Sequence, residues 1–261
     1  MQAFSYQTAT SVAAAAAALN DESKLVAGGQ SLLPSMRLGL AAPEALIDLG
    51  GIAELKGISV SGSTVKIGAM TTHADVAANA DVKRLIPALA DLAGNIGDRQ
   101  VRNRGTIGGS LANNDPAACY PAAVLGLGAT VHTNRRDIAA DDFFQGLYMT
   151  ALEDGEIITA VSFPAPQAAG WQKFKQPASR FSLVGVFVSK GAGGVRVAVT
   201  GAGGNGVFRV TAIEQALAAN WSAAAAQAVK VPADDLNSDL HGSAEYRAAL
   251  IPVLAGRAVG G

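Results

Sequence analysis

Two stretches of this 261-residue sequence decide the fold: Ala27-Gly28-Gly29-Gln30-Ser31 and Gly105-Thr106-Ile107-Gly108-Gly109-Ser110. Each carries a glycine pair beside a hydroxyl side chain, and the first directly follows an apolar strand predicted over residues 24–27. Glycine lets the backbone approach a ligand closely, and successive free N–H groups in such a turn bind an anion. Two such loops can hold the two phosphates of a dinucleotide.

The alternative for each glycine pair is a tight turn that binds nothing, which is a common role of Gly-Gly in a chain with 30 glycines. The repeated arrangement, with its hydroxyl neighbours and the apolar segments that follow, favours a ligand more than either pair does alone. The pattern by itself leaves both interpretations open.

Composition and charge exclude several classes of protein. Apolar residues make up 49% of the chain, charged residues 16%, and the formal net charge is -1. Such a chain is globular and lacks the positive footprint of nucleic-acid or anionic-membrane binding. No stretch reaches the roughly 18 apolar residues of a membrane span, and the N-terminal pattern is not that of a signal peptide. We therefore expect a cytoplasmic protein with no membrane span and no nucleic-acid partner.

The metal-binding residue types are sparse. Cys119 is the single cysteine, so this chain alone cannot form an internal disulfide, an iron–sulfur cluster or a thiolate zinc site. His73, His132 and His241 lie far apart in the sequence. We expect no metal and no catalytic histidine in this chain, and a reducing compartment.

The order of predicted elements suggests successive structural units. A strand, a helix capped by Thr10 or Ser11 and another strand precede the first glycine pair, and residues 46–49 are typical of a parallel strand. A hairpin is predicted at 58–67, followed by helices. Pro164 to Gly170 is the clearest linker. Beyond it the pattern predicts antiparallel strands at 171–175, 182–190 and 195–200, then helices at 211–219 and 244–258.

Two further motifs resemble ligand-binding sites but lack features that such sites need. Gly201, Gly203 and Gly206 match G-x-G-x-x-G, but residues 207–210 predict a strand where a phosphate-binding helix is needed, so a glycine-rich hairpin is the better interpretation. Residues 235–239 imitate the start of a calcium loop and lack its glycine and its final glutamate. A nicotinamide-binding Rossmann dehydrogenase would rest on the first of these motifs alone.

Longer stretches around the glycine pairs carry a family resemblance: residues 25–36 (LVAGGQSLLPSM), 46–49 (LIDL), 100–103 (QVRN), 105–110 (GTIGGS) and 113–116 (NNDP). In this order they resemble the FAD-binding, or medium, subunit of the molybdenum hydroxylase family, of the carbon monoxide dehydrogenase and xanthine dehydrogenase type. The resemblance spans essentially the whole chain.

The resemblance implies an α+β fold. A two-part FAD-binding domain of the p-cresol methylhydroxylase/vanillyl-alcohol oxidase type is expected at residues 1–55 and 56–165, with the flavin between its halves. Residues 166–261 are expected to form a C-terminal domain, an antiparallel sheet with helices.

The resemblance also implies site residues. A first group would wrap the pyrophosphate: Lys24, Leu25, Val26, Ala27, Gly28, Gly29, Gln30 and Ser31. A second group would bind phosphate and ribityl oxygens: Thr106, Gly108, Gly109 and Ser110. Ile96, Gly97 and Ile158 would lie against the flavin. Lys175 matches a family lysine near the ring, where a cation favours reduced, anionic flavin; without that context it is typical of a solvated strand lysine.

One position departs from the family pattern. Nine residues after Ser110 the family often has an aspartate, and this chain has Cys119, whose thiol is a poor hydrogen-bond acceptor. Either Asp115 compensates or the flavin contact is weaker. A buried structural thiol is the favoured interpretation, because no cation neighbours Cys119 in sequence. Arg102 and Arg104 could neutralise phosphate or face a partner chain.

The implied function is electron transfer by FAD in a heterotrimeric molybdenum hydroxylase. A large subunit would hold molybdenum–pterin, a small subunit would relay electrons through [2Fe–2S] clusters, and the assembly would be a dimer of heterotrimers. A stand-alone flavin oxidase or reductase of the same fold is the alternative. A non-catalytic interaction module would follow if the loops no longer bind cofactor.

Overall fold

The computed structural model describes residues 2–260. Its helices are α1 (Val12–Ala18), α2 (Leu32–Arg37), α3 (His73–Ala78), α4 (Ala80–Leu85), α5 (Pro87–Gly94), α6 (Arg99–Arg104), α7 (Ile107–Asn113), α8 (Tyr120–Leu127), α9 (Ala140–Phe143), α10 (Thr211–Ala219), α11 (Ala223–Gln227) and α12 (Ala244–Gly260), with a 3-10 turn at Ala53–Leu55. Its strands are β1 (Ser5–Thr8), β2 (Ser23–Val26), β3 (Ala45–Asp48), β4 (Ile58–Ser61), β5 (Thr64–Gly68), β6 (Thr130–Thr133), β7 (Asp137–Ala139), β8 (Phe144–Gly146), β9 (Met149–Thr150), β10 (Ile158–Pro164), β11 (Ala168–Lys175), β12 (Ser182–Gly191), β13 (Gly194–Thr200) and β14 (Phe208–Arg209).

The N-terminal unit is a parallel sheet in the order β1-β3-β2. Successive residues of a strand point to opposite faces, and β3 uses this to build two layers. Ile47 is buried with Ala15 of α1 on one face, and Leu46 is buried with Met36 of α2 on the other. The sheet is thus covered on both sides, and its first glycine loop leaves from the end of β2.

The central unit is a sheet in the order β4-β5-β10-β6-β7, with antiparallel pairing throughout. Val65, Ile67 and Val161 point into the largest hydrophobic core, to which helices α3, α4, α5, α7 and α8 contribute residues, while Lys66 is exposed. Residues with period-two alternation therefore form a sheet with one apolar face, as the hairpin at 58–67 predicts.

The C-terminal unit is an antiparallel sheet in the order β11-β12-β13-β14. Strand β12 is buried on both faces, because Val186 and Val188 pack with the helices of this unit while Phe187 joins the central core. Gly126 of α8 lies against Phe187, where a Cβ would come within 2.9 Å of the ring. The C-terminal sheet is therefore packed directly on the central unit.

The structure corrects three local expectations. The second glycine pair, which was expected to form a loop, is helical: Gly108 and Gly109 lie inside α7, whose N-cap is Thr106. The pattern also missed α6. The expected linker is much shorter than Pro164 to Gly170, because β10 ends at Pro164 and β11 begins at Ala168. The strand at 207–210 is confirmed as β14, paired antiparallel with β13.

Candidate functional site

The two glycine stretches meet in the folded chain. Gly28 lies on the backbone where α6 ends: a Cβ added to Gly28 would overlap the carbonyl oxygen of Arg104 and come 2.7 Å from the Cα of Gly105. Gly109 lies beside the first loop, since its Cβ would be 3.5 Å from that of Ala27. Glycine at position 28 is therefore needed for this close approach.

The first loop presents unused backbone donors. The N–H groups of Gly28, Gly29, Gln30 and Ser31 have no acceptor among residues 2–260. Gly29 adopts a φ of 70°, a left-handed conformation that favours glycine, and the Gln30 side chain donates back to the Gly28 carbonyl at 3.0 Å. Successive free N–H groups in such a loop suit the oxygens of a diphosphate.

The other residues predicted around this loop have different surroundings. Lys24 is exposed on β2, one of the two edge strands of the sheet. Leu25 packs against the core under α1, and Val26 is buried with Met36. Only the backbone of Val26 is thus available to a ligand.

The second stretch has its backbone donors already occupied. The N–H of Gly108 donates to the Ala69 carbonyl at 2.8 Å, and the N–H of Gly109 donates to the Thr106 hydroxyl at 3.1 Å. A Cβ on Gly108 would come within 2.6 Å of the Ala69 side chain. These glycines serve close packing, and the half-buried Ser110 supplies a hydroxyl at the surface of this stretch.

Helix α6 joins the glycine stretches to a second cluster of predicted residues. Its Arg102 donates through Nη1 to the carbonyl oxygens of Ile96, at 3.0 Å, and Gly97, at 3.2 Å. Arg102 therefore holds the backbone of the segment that is expected to lie against the flavin. This role differs from both alternatives that the sequence left open for Arg102, namely neutralising phosphate and facing a partner chain. Arg104 is exposed at the end of the same helix.

Lys175 reaches this segment from the C-terminal sheet. Its Nζ donates to Asn95 Oδ1 at 2.8 Å, one residue before Ile96. An open cavity of about 300 Å³ lies here, lined by Gly94, Asn95, Gly97, Arg102, Lys175, Gln176, Pro177 and Arg180. The sequence-predicted Gly97 and Lys175 thus line one groove, with cations and no carboxylate.

Cys119 is buried, as the sequence predicts, but it has a cationic neighbour. Lys173 Nζ lies 3.3 Å from the Cys119 sulfur and 3.2 Å from the carbonyl oxygen of Asn95. The Asp115 carboxylate is engaged elsewhere, with the Ala117 N–H and the Tyr148 hydroxyl. Sequence reasoning missed Lys173, and its place two residues before Lys175, on the same face of β11, was the available signal.

Ile158 lies at the start of β10 and is 5% exposed, within the central core. Its neighbour Thr159 accepts a hydrogen bond from Ala69, which in turn accepts one from Gly108. Ile158 is thus tied to the second glycine stretch through backbone contacts, and most of its side chain is already packed in protein.

A buried histidine, His73, lies near Arg102 of this groove. Burial, and then the positive charge of Arg102, lower the pKa of His73 to about 4. Its ring lies 5.3 Å from that of Tyr120, and His73 Nδ1 has no hydrogen-bond partner among the described residues. His73 is therefore neutral at physiological pH and adds no charge to the groove.

A serine, histidine and aspartate are also connected on the outer face of the central sheet. His132 lies 2.7 Å from Ser162 Oγ and 2.6 Å from Asp137 Oδ1. Ser162 is in the middle of β10, paired with β5 and β6, so backbone N–H groups there belong to the sheet. Without an oxyanion site the arrangement is a hydrogen-bonded side-chain ladder, not an acyl-transfer centre.

Residues 2–260 contain neither a membrane-spanning helix nor a metal-binding cluster of side chains. None of the helices there is long and apolar enough to cross a membrane. No group of three or more His, Cys, Asp or Glu side chains in that range could hold a metal ion.

The comparisons with known proteins agree with the geometry. Residues 2–166 match the family described as the FAD binding domain in molybdopterin dehydrogenase. This match ends where the C-terminal sheet begins, and it includes both glycine stretches.

Relatives align over nearly the full length. The carbon monoxide dehydrogenase medium chain of Hydrogenophaga pseudoflava is 38% identical over 280 residues, covering 98% of this chain and 96% of that protein. The nicotine 6-hydroxylase medium subunit of Paenarthrobacter nicotinovorans is 39% identical over 254 residues, covering 92% and 89%. The solved structure of quinoline 2-oxidoreductase from Pseudomonas putida 86 matches with a TM-score of 0.88 and 30% identity, over 99% of this chain and 96% of that chain.

Proposed function

We propose that this chain, which belongs to the FAD-binding family of molybdopterin dehydrogenases, is the electron-transfer subunit of a molybdenum hydroxylase complex. It would receive electrons from [2Fe–2S] clusters of a small subunit and pass them to an external acceptor. A large subunit would hold molybdenum–pterin and oxidise the substrate. The observation that carries the proposal is the meeting of the two glycine stretches beside four free N–H groups.

The residues present fit FAD. The free N–H groups of Gly28 to Ser31 would hold its diphosphate, and the absence of a Cβ at Gly28 keeps the two stretches in contact. The flavin ring would lie at the groove of Gly97 and Lys175, with Ile96 and Cys119 nearby. When bound, FAD accepts electrons singly and releases them in pairs, which suits a position between clusters and a two-electron acceptor.

The remaining predicted contacts divide by position. At the diphosphate end, Lys24 and the backbone of residues 25–27 would flank the ligand, and Thr106, Gly108, Gly109 and Ser110 would support it from α7. Because the N–H groups of Gly108 and Gly109 are already bonded, we assign the direct contact to Ser110 and the packing role to the glycines. Ile158 would form part of the wall behind the ring.

Under this proposal, substrate specificity is determined by another subunit and not by this chain. Its relatives belong to enzymes named for carbon monoxide, nicotine and quinoline, which are chemically unlike one another. Chains that are 30–39% identical to this one belong to all of these enzymes. We therefore assign to the shared fold the step that the enzymes have in common, which is electron transfer.

We further propose a two-part FAD domain of the vanillyl-alcohol oxidase type at 1–55 and 56–165, a C-terminal domain at 166–261, a dimer of heterotrimers and a cytoplasmic location.

The test is native purification of the full chain from cells that produce it, with absorption spectra and metal analysis. We expect bound FAD in this chain and co-purification of a larger molybdenum-containing chain and a smaller iron-containing chain. A lone yellow monomer that oxidises a simple substrate would contradict the proposal and support the stand-alone flavin enzyme.

A further inference from the structure

We propose that Asn95 is a positioning residue that sets the charge of the flavin site. Its side-chain and backbone oxygens are neutral, so they hold the ammonium groups of Lys173 and Lys175 without neutralising them. The positive charge of these lysines is then left to interact with the bound flavin. The inference rests on the proposed function and deepens it, because it identifies what tunes the reduction potential of that site.

The Asn95 amide is held in one orientation from both sides. Its Nδ2 donates to the Asp91 carbonyl of α5 at 2.9 Å, which turns Oδ1 toward the C-terminal sheet. Lys175 Nζ then donates to Oδ1 at 2.8 Å, and Lys173 Nζ donates to the Asn95 carbonyl oxygen at 3.2 Å. One residue at the end of α5 thus fixes the ammonium groups of both lysines.

A third cation joins the cluster. Arg102 holds the next two carbonyl oxygens, those of Ile96 and Gly97. All of these acceptors are neutral, and the other contact of Lys173 is the Cys119 sulfur. None of the ion pairs formed among residues 2–260 involves Arg102, Lys173 or Lys175.

Neighbouring groups leave this charge unbalanced. Asp98 is exposed and caps α6 by accepting from the Val101 N–H at 2.8 Å. His73, behind Arg102, is neutral at physiological pH. Arg180 lines the same cavity and adds a fourth cation at its rim. A ligand in the groove therefore meets Arg102, Lys175 and Arg180, and the charge of the half-buried Lys173 lies next to this lining, on the Asn95 carbonyl oxygen.

The chemistry of FAD matches such a groove. FAD takes two electrons and one proton to reach its anionic reduced form, a net gain of one negative charge. Cations near the ring stabilise that form relative to the oxidised one and so raise the reduction potential. A carboxylate at position 95 would offset one of these cations, although Asn and Asp have almost the same shape.

The experiment compares Asn95→Asp with the wild-type full-length chain, both carrying FAD. The midpoint potential is measured by equilibration with a reference dye, and FAD content is measured by absorbance. We expect Asn95→Asp to favour oxidised flavin at least tenfold more than wild type, a shift of about 30 mV to lower potential for two electrons. Asn79→Asp is the matched control, since Asn79 caps α4 and aspartate caps equally well; we expect less than a twofold effect.

Lys173→Met provides a second variant, because it removes a charge without adding a carboxylate. We expect it to lower the potential in the same direction. Unchanged potentials in both variants, with FAD bound, would overturn this inference and leave the proposed function intact. Failure of the wild-type chain itself to bind FAD would instead contradict the proposed function.

Discussion

Gly28 and Arg104 are in direct backbone contact, and this contact joins the loop after β2 to the end of α6. The glycine has no side chain to keep the two backbones apart, so the N-terminal sheet and the central unit are in contact at the first glycine loop. The N–H of Gly28 is itself one of the free donors of the loop. The packing of two units and the proposed diphosphate contact therefore depend on one position.

Gly28→Ala is expected to weaken FAD binding at least tenfold. The added Cβ would overlap the Arg104 carbonyl, so the loop and α6 must separate and the donor geometry changes. Overpacking of this kind also costs about 1–3 kcal/mol of unfolding free energy. FAD fluorescence during titration with the chain measures the affinity, and urea unfolding measures the stability.

Gly193→Ala is the control for that substitution, because a Cβ at Gly193 would meet nothing within 4 Å. It should leave both quantities within about 0.5 kcal/mol of wild type. Equal FAD affinity in the Gly28→Ala and Gly193→Ala chains would show that the contact with Arg104 has no part in cofactor binding.

Gly108→Ala is expected to act mainly on stability. The new Cβ would lie 2.6 Å from the Ala69 side chain and 2.8 Å from its carbonyl oxygen, in a fully packed region, so we expect a loss of about 2 kcal/mol. Chemical denaturation tests this. Gly94→Ala, where a Cβ meets only Ala77 at 3.8 Å, should stabilise its helix by up to about 1 kcal/mol, and similar losses in both variants would refute the packing argument.

Cys119 should resist thiol reagents in the folded chain. It is 5% exposed and lies under Lys173 and Ser182, so labelling should be at least tenfold slower than in the urea-unfolded chain. Mass spectrometry over time gives both rates. A Cys119→Ser chain that carries Ser179→Cys at an exposed loop position should react rapidly when folded; equally rapid labelling of native Cys119 would disprove its burial.

Acid should remove the stabilisation provided by Glu156. The Arg136 guanidinium, which donates to both of its oxygens at 3.0 Å, lowers the pKa of the Glu156 carboxyl to about 2. Because the pKa is lower in the folded chain than its ordinary value of 4.5, the stabilisation is present above pH 4.5 and is lost as pH falls toward 2. Glu156→Gln should therefore cost about 2–3 kcal/mol at pH 7 and little near pH 2.

Glu153→Gln serves as the comparison for Glu156→Gln. Glu153 pairs with the same arginine at 3.3 Å, but its side chain is 62% exposed, so its removal should cost at most about 1 kcal/mol. The unfolding free energies of both variants are measured across pH. A loss for Glu156→Gln that does not change with pH would contradict the lowered pKa of Glu156.

Local patterns predicted most of the elements. The period-two alternation of β5 and the hydroxyl N-cap of α1 at Ser11 depend on neighbouring residues, and both were predictable for that reason. Helix α7 was missed because two glycines reduce helix propensity, although Thr106, which accepts from the Gly109 N–H, carried the N-cap signal. The glycine residues of the site were predictable for their backbone freedom; the occupied N–H groups of Gly108 and Gly109 were not, since their acceptors are set by packing.

By itself, the sequence determined the two glycine stretches, the single cysteine, the balance of charge and the family resemblance, all of which are properties of residue type and order. Only the tertiary structure decided that Lys175 meets Asn95, 80 residues away, and that Lys173 meets Cys119, 54 residues away. These pairs form because β11 packs against α5 and brings Lys173 to Cys119, the N-cap of α8. Contacts of that kind depend on how sheets and helices bury their apolar faces together, and no local pattern encodes their partners.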